Sequence, residues 1–377
     1  MFKKLFLPAS LLAGTIIGAG IFALPFVFHN AGIAVGLFYL GLFTVAFIFI
    51  HLMYADTILK TENSENHHRF PGYVRIYLGR IGFWLSILTG IFGIFFTLTI
   101  YLVLSISFFN LIFPEISAAS ALLVFWFLGS MAIFLKIKRV AFSEFLITGG
   151  VIAIILVIFS YGMGYFEKIV STPLFNINNL LLPYGAILFS LSGRVAIPAI
   201  INYFKKIKQP LINIKKPIIL GTLLPSLVYI FFIIGVLGLS GVVSEDAISG
   251  IAENIPKGIL VLIGIFGLLS LWSSYIVIGI EVKDSLKFDL KFPTFLTGLL
   301  VVLLPPLLYF WGFQSFLELV GIAGGVFIAL EGIFIVLMWL KTFKLNPKKL
   351  IFSKINFLII YALILIFIGG IICELFF

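Results

Sequence analysis

Residues 14–25 read GTIIGAGIFALP. Gly14, Gly18 and Gly20, with Thr15 and Pro25, punctuate a run otherwise apolar enough to cross a bilayer. Each glycine in a helix interior costs about 1 kcal/mol relative to alanine. In hydrocarbon a broken helix leaves N–H and C=O groups without partners, and that is expensive. Such a break persists only where protein or a wet cavity surrounds it, and there the freed backbone groups can hold a ligand. The stretch predicts a protein that carries a small solute or ion across a membrane.

Composition agrees. Of 377 residues, 62% are hydrophobic and 11% charged, against about 25% charged in a soluble domain. Spans and short loops take up nearly all of the chain, so it reads as a single membrane domain over 1–377 with no separate soluble part. One cysteine, Cys373, allows no intramolecular disulfide and no cysteine-based metal site. The net charge of +10 sits in loops and calls for no nucleic-acid partner. The start, MFKKLFLPASLLAGTIIGAG, imitates a signal peptide, but its apolar stretch continues through Phe28 and is expected to be retained as a first helix.

A span needs about 20 apolar residues. Eleven segments qualify: roughly 5–28, 33–56, 81–109, 118–135, 143–163, 180–203, 217–239, 258–281, 293–310, 315–340 and 355–374. The runs are continuous, unlike the alternating segments of a barrel. With the N-terminus placed in the cytoplasm, 22 of the 25 Lys and Arg residues fall in inner segments, including Lys60, Arg69, Lys136, Lys138, Arg139, Lys283, Lys348 and Lys349. Lys168 and Lys257 fall outside, and Arg194 lies within a span. This asymmetry predicts a multi-pass cell-membrane protein with a cytoplasmic N-terminus and an external C-terminus. Segment 67–80, HHRFPGYVRIYLGR, is expected to form a short surface helix, with His67 and His68 solvated. The outer loop 240–257, with Glu245, Asp246 and Glu253, is expected to form another.

A second interruption falls in the sixth span: PYGAILFSLSGRVAIP, residues 183–198. It lies five spans on from the first, an odd step, so the two helices run in opposite directions, as in an inverted repeat of spans 1–5 and 6–10. Corresponding interruptions in two halves point to a transporter site. The expected repeats cover about 5–163 and 180–340, with an extra helix at 355–374.

Together, GTIIGAGIFALP and PYGAILFSLSG…AIP resemble the amino acid/auxin permease group of the amino acid–polyamine–organocation superfamily. The resemblance runs over essentially the whole chain, including VSEDA in the fourth outer loop. It implies an all-α integral membrane protein with the five-plus-five inverted-repeat (LeuT-like) fold and eleven transmembrane helices, helices 1 and 6 broken. It also implies alternating-access transport of an amino acid, neutral or aromatic, coupled to sodium or protons, with no other cofactor. The partners are then the amino acid substrate and the lipid bilayer; oligomeric state is left open.

By the same resemblance the substrate carboxylate would lie on backbone N–H groups at Gly18, Ala19 and Gly20, at a positive helix end. Its ammonium would meet carbonyls of Thr15 or Ile16 and of Phe189 and Ser192, beside Gly193. Phe189 would close over the substrate. A coupling sodium would use carbonyls of Gly14 and Ile17 with the hydroxyls of Ser273 and Ser274, an oxygen set suited to a hard cation.

Arg194 departs from the resemblance, because a small residue is usual there. A charge at mid-membrane faces a cavity or a partner. It is expected to bind an anionic group of the substrate, to replace the coupling cation, or to pair with Glu331 or Glu318. These two acids are 13 residues apart, about 1300° of helical rotation, so only one can easily face inward. Glu144 is expected to pair with the neighbouring basic loop, His51 to be a hydrogen-bonded packing residue, and Tyr101 to be a wall or packing residue. The alternatives are a membrane-embedded enzyme acting on lipid, or a channel. Against an enzyme or a self-powered pump, the chain has no HExxH, no GxxxxGK[ST] and no paired acidic motif in one loop.

Overall fold

A computed structural model describes residues 2–61, 68–135, 141–346, 350–354 and 356–376. His67, Lys136, Lys138, Arg139, Lys348 and Lys349 lie outside the described residues, as do the side chains of Glu144 and Glu253. The described chain is all-helical.

Continuous apolar sequence gives long helices because, in hydrocarbon, only a helix pairs every backbone group within its own segment. Eight helices among the described residues are long and apolar enough to cross a membrane. They are Ile33–Thr61, Phe70–Ile112, Phe145–Ser171, Pro183–Lys206, Leu211–Leu239, Lys257–Phe288, Phe316–Leu345 and Phe357–Phe376. A ninth is the bent pair Phe6–Ile16 and Ala19–Ala31. Two apolar helices of 17 residues, Ala118–Phe134 and Thr294–Phe310, complete eleven segments. At about 1.5 Å per residue they lie at the short end of what a bilayer requires. In chain order these segments are spans 1 to 11.

Within the segment expected to be a short surface helix, 67–80, a helix starts at Phe70, but Phe70, Tyr73 and Val74 are buried rather than on the surface, and it continues directly into the rest of span 3. The break between them is at Gly79, whose φ of 76° and ψ of −164° lie outside the helical region. In the loop 240–257 the expected helix is a 3₁₀ turn, Ser249–Asn254. Asp246 anchors it by accepting hydrogen bonds from the Ser249 N–H and from the hydroxyls of Ser244, Ser249 and, in span 3, Ser107.

Large apolar side chains such as Phe38, Phe127, Leu135, Leu358 and Leu365 are exposed on the outer surface, where lipid would cover them. Inside, span 8 packs along span 3, span 7 along spans 1 and 5, and span 10 against spans 6, 2, 3 and 11. The contact between spans 6 and 10 brings backbone to backbone: Gly185 and Gly324 meet with no room for a Cβ at the latter. Span 10 is π-helical over Ala323–Ile328 before resuming as an α-helix at Ala329.

On the lysine-rich face that also carries the N-terminus, the buried Asp56 of span 2 ties three elements together. It pairs with Lys60 at 2.9 Å. It also accepts hydrogen bonds from Trp339 Nε1 of span 10 and from the Ile351 N–H of the following loop. His51 is fully buried, with Nδ1 2.9 Å from Thr222 Oγ1 of span 7.

A candidate transport site between two interrupted spans

Span 1 loses its ladder at Ile17. The Ile17 N–H still reaches Ala13 O at 2.7 Å, but the Gly18 N–H turns to Ile16 O at 2.8 Å. That takes it from Gly14 O, its partner in an unbroken helix. The axis bends by 51°. The chain restarts as a 3₁₀ turn over Ala19–Ala23 and then an α-helix over Leu24–Ala31, with Pro25 in its first turn. The first N–H groups of the restarted helix lack intrahelical partners and form its positive end.

Span 6 is interrupted over Leu191–Gly193, between the helix Pro183–Ser190 and a 3₁₀ turn Arg194–Ala196. Its axis stays straight enough to count as one span. The two interruptions touch. A Cβ on Gly20 would lie 2.5 Å from Ser190 Cα, and one on Gly193 would lie 2.6 Å from Ile16 Cγ1. A buried tyrosine of span 7 joins them: the Tyr229 hydroxyl lies 2.8 Å from Ile16 O and 2.7 Å from Ser190 O.

Between the breaks is a cavity with about 60 Å³ for the centres of water-sized spheres, room for a few waters. Thr15, Ile16, Gly18, Ala19, Gly20, Phe189, Ser192, Gly193, Arg194 and Glu331 all line it. Tyr101 and Thr97 of span 3 join them, with Ile278 of span 8 and Phe327 of span 10. Two carbonyls expected to be free are engaged: Ile16 O by Tyr229, and Phe189 O by the Ser192 N–H at 3.2 Å. The Gly18 N–H is likewise turned inward on the chain. The N–H groups at Ala19 and Gly20 are therefore the better anion donors of the three.

Arg194 is 4% exposed, and its guanidinium donates to both oxygens of Glu331, from Nε at 2.9 Å and from Nη2 at 2.6 Å. Phe70 lies beneath it, 4.3 Å from the guanidinium carbon. Of the two acids weighed as its partner, Glu318 is the one set aside. It is exposed at the first turn of span 10, beside the Ser315 N-cap, and lines a different pocket with Glu245 and Glu374 instead.

Sequence reasoning missed a second acid. Glu281 of span 8 lies 3.8 Å from Arg194 Nη1 and 3.9 Å from Arg69 Nη1, and Arg69 in turn pairs with Asp284 at 2.6 Å. Asp289, just past the end of span 8, is pushed up to about 7, mainly by burial. The motif EVKDS carried a signal for these groups only as a charged span end. Nothing in its spacing says which acid turns inward.

The expected cation-site residues separate. Gly14, Ile17 and Ser273 line one small pocket with Thr148 and Ser270. Ser274 does not belong to it: it is fully buried and its hydroxyl has no hydrogen-bond partner. Adjacent residues diverge by about 100° on a helix, whereas residues three apart share a face. Ser270, three residues before Ser273, lines that pocket where Ser274 does not, with its hydroxyl 3.3 Å from Ile17 O.

Two interrupted spans that meet at a cavity holding a buried Arg–Glu pair, inside an all-helical membrane body, are the architecture of a transporter. The family model for the tryptophan/tyrosine permease family matches residues 1–374. The chain belongs to that family. No curated protein matches it in sequence. Its fold is that of solved LeuT-like transporters. MhsT in complex with L-phenylalanine aligns with a TM-score of 0.70 at 14% identity, over 99% of this chain and 97% of that one. A manganese transporter from Eremococcus coleocola, bound to an aromatic bis-isothiourea substituted compound, aligns at 0.67 and 14%, over 99% and 87%. Mhp1, a nucleobase-cation-symport-1 family transporter closed around bromovinylhydantoin, aligns at 0.63 and 16%, over 98% and 90%.

Proposed function

We propose that the protein is a secondary active transporter that carries an aromatic amino acid across the cell membrane by alternating access, driven by a sodium or proton gradient. The observation that carries this reading is the meeting of both interruptions at one enclosed cavity walled by Tyr101, Phe189 and Phe327. The family name, the phenylalanine held by a structural neighbour and the motif resemblance to amino acid/auxin permeases all support it.

The substrate carboxylate lies on the Ala19 and Gly20 N–H groups, where a helix start favours an anion. Its ammonium meets carbonyls of the two breaks, and its ring lies among the three aromatic side chains. Arg194 and Glu331 enter the site as an already neutral pair. The closed cavity must widen to admit the ring, and spans 1 and 6 are the parts free to yield. If sodium is the driving ion, the oxygens of Gly14, Ile17 and Ser273 hold it, with Ser270 and Thr148 replacing Ser274. The distribution of lysine supports a cytoplasmic N-terminus and an external C-terminus, and in this reading the two halves act as inverted repeats about 5–163 and 180–340.

Purified protein in proteoliposomes, given labelled tryptophan, tyrosine or phenylalanine, tests the proposal. Saturable, gradient-driven accumulation of at least one, competed by the others but not by glutamate or lysine, is expected. Failure to accumulate any of the three under either gradient sinks it.

A further inference from the structure

Five charged side chains form a chain from the cavity toward the lysine-rich face, in the order Glu331, Arg194, Glu281, Arg69, Asp284. Two links are tight. Arg194 grips Glu331 with two hydrogen bonds, and Arg69 Nη2 donates to Asp284 Oδ2 at 2.6 Å. These two pairs are each neutral. Glu281 lies between them, 6% exposed, and reaches both guanidiniums only at 3.8 and 3.9 Å. Neither contact closes to hydrogen-bond distance, and Arg194 Nη1, which faces it, is a buried donor without a partner. The chain thus holds three carboxylates against two cations. The surplus negative charge sits where burial makes it most costly, on the carboxylate held least firmly.

We propose that Glu281 is the proton-coupling residue of this transporter. Ionised, it joins the two neutral pairs and holds the inner half of the molecule together. Protonated, it releases them. The proposal rests on the carrier function proposed above and names its driving ion. The proton arrives through the cavity, whose lining residue Ile278 lies one helical turn from Glu281. It adds to one Oε, cancels the surplus charge and leaves each arginine charge-balanced by its own acid. Span 6 with span 10 can then part from span 8 and the segment before span 3. Water entering from the inner side takes the proton away, and the ionised carboxylate draws both arginines back.

Other groups facing this region are Tyr54 of span 2, its neighbour Tyr73, His68 stacked on Tyr73, and Asp289. Tyr54 couples electrostatically to Arg194 and Glu281, and Asp289 to Arg69 and Glu281. Asp289 is the rival proton site.

Full-length protein in proteoliposomes loaded with a pH-sensitive dye, with the membrane potential clamped, tests the proposal. Addition of the transported aromatic amino acid should acidify the lumen for wild type and for Asp289→Asn. Glu281→Gln should lose the acidification and the uphill accumulation driven by a pH gradient, while exchange of labelled for unlabelled substrate continues. Should Glu281→Gln not fold, Glu281→Asp serves, with a shifted pH midpoint of transport expected. Wild-type uptake that needs sodium and moves no proton overturns the assignment. So do proton movement preserved in Glu281→Gln, its loss in Asp289→Asn alone, or an unmoved midpoint in Glu281→Asp. Wild type that transports no aromatic amino acid at all defeats the carrier reading instead, which keeps the two failures apart.

Discussion

Replacing Arg194 by methionine removes two hydrogen bonds of 2.6 and 2.9 Å from Glu331 and the nearest cation from Glu281. Both sides of the main pair are nearly sealed from solvent, at 5% and 11% exposure. Stripping one partner from a buried pair typically costs about 3–5 kcal/mol, because the other charge is left buried and uncompensated. That corresponds to roughly two to three and a half powers of ten in the folding equilibrium. Replacing both partners by apolar residues, Arg194→Met with Glu331→Leu, removes the orphan and should recover much of the loss. SDS titration in mixed micelles, followed by tryptophan fluorescence, would give the midpoints of both single variants and the double. The double variant is expected to be more stable than Arg194→Met alone, and to bind an aromatic amino acid with near-normal affinity. A double variant at or below the sum of the singles would refute the pairing argument. A stable double variant without substrate affinity would show that Arg194 touches the substrate.

Tyr229→Phe removes a hydroxyl that reaches carbonyls of both breaks and should cost about 1–3 kcal/mol through orphaned carbonyls, read as a lower thermal midpoint with slower transport. Gly18→Ala puts a Cβ 2.8 Å from the Tyr101 hydroxyl; loss of uptake is expected, with partial recovery on adding Tyr101→Phe. The folded-state value of Asp289 is raised to about 7, above that of the unfolded chain. Its contribution is therefore complete below about pH 4 and lost as pH rises through about 7. Asp289→Asn should flatten that decline in a series of melting temperatures, and an unchanged slope would contradict it.

Much of this molecule was legible because lipid punishes irregularity. Glycines at 14, 18 and 20 have few tolerable explanations in a span, and a lone arginine in another requires an acid, so the breaks and the Arg194–Glu331 pair could be anticipated. Other features depend on helical phase, which one sequence leaves loose. Ser273 and Ser274 look equivalent as neighbours, yet about 100° of rotation sends them to different surroundings and brings in Ser270. Glu281 was hidden among the charges that end span 8, where solvent exposure is the ordinary expectation. Tyr229 carried no signal at all, since its partners are backbone carbonyls that any sequence possesses. The glycine motif suggested the amino acid/auxin permease group; the family itself came from the match over residues 1–374.

The π-helical stretch at Ala323–Ile328 has a consequence for what this chain can tolerate. A π turn accommodates a longer repeat than an α turn, so the stretch behaves like one residue spliced into an otherwise regular rod. Deleting a residue elsewhere in a span would twist everything beyond it by about 100°. Deleting one here would let the rod relax to an ordinary α-helix, with Phe316 and Glu331 keeping their azimuths. Phe327 and Ile328 would be drawn out of the cavity wall, and Gly324 would shift against Gly185 of span 6. Loop shortening is commonplace in proteins, but this is one site within a transmembrane helix where a single-codon loss would enlarge the cavity and keep the rest of the rod in phase.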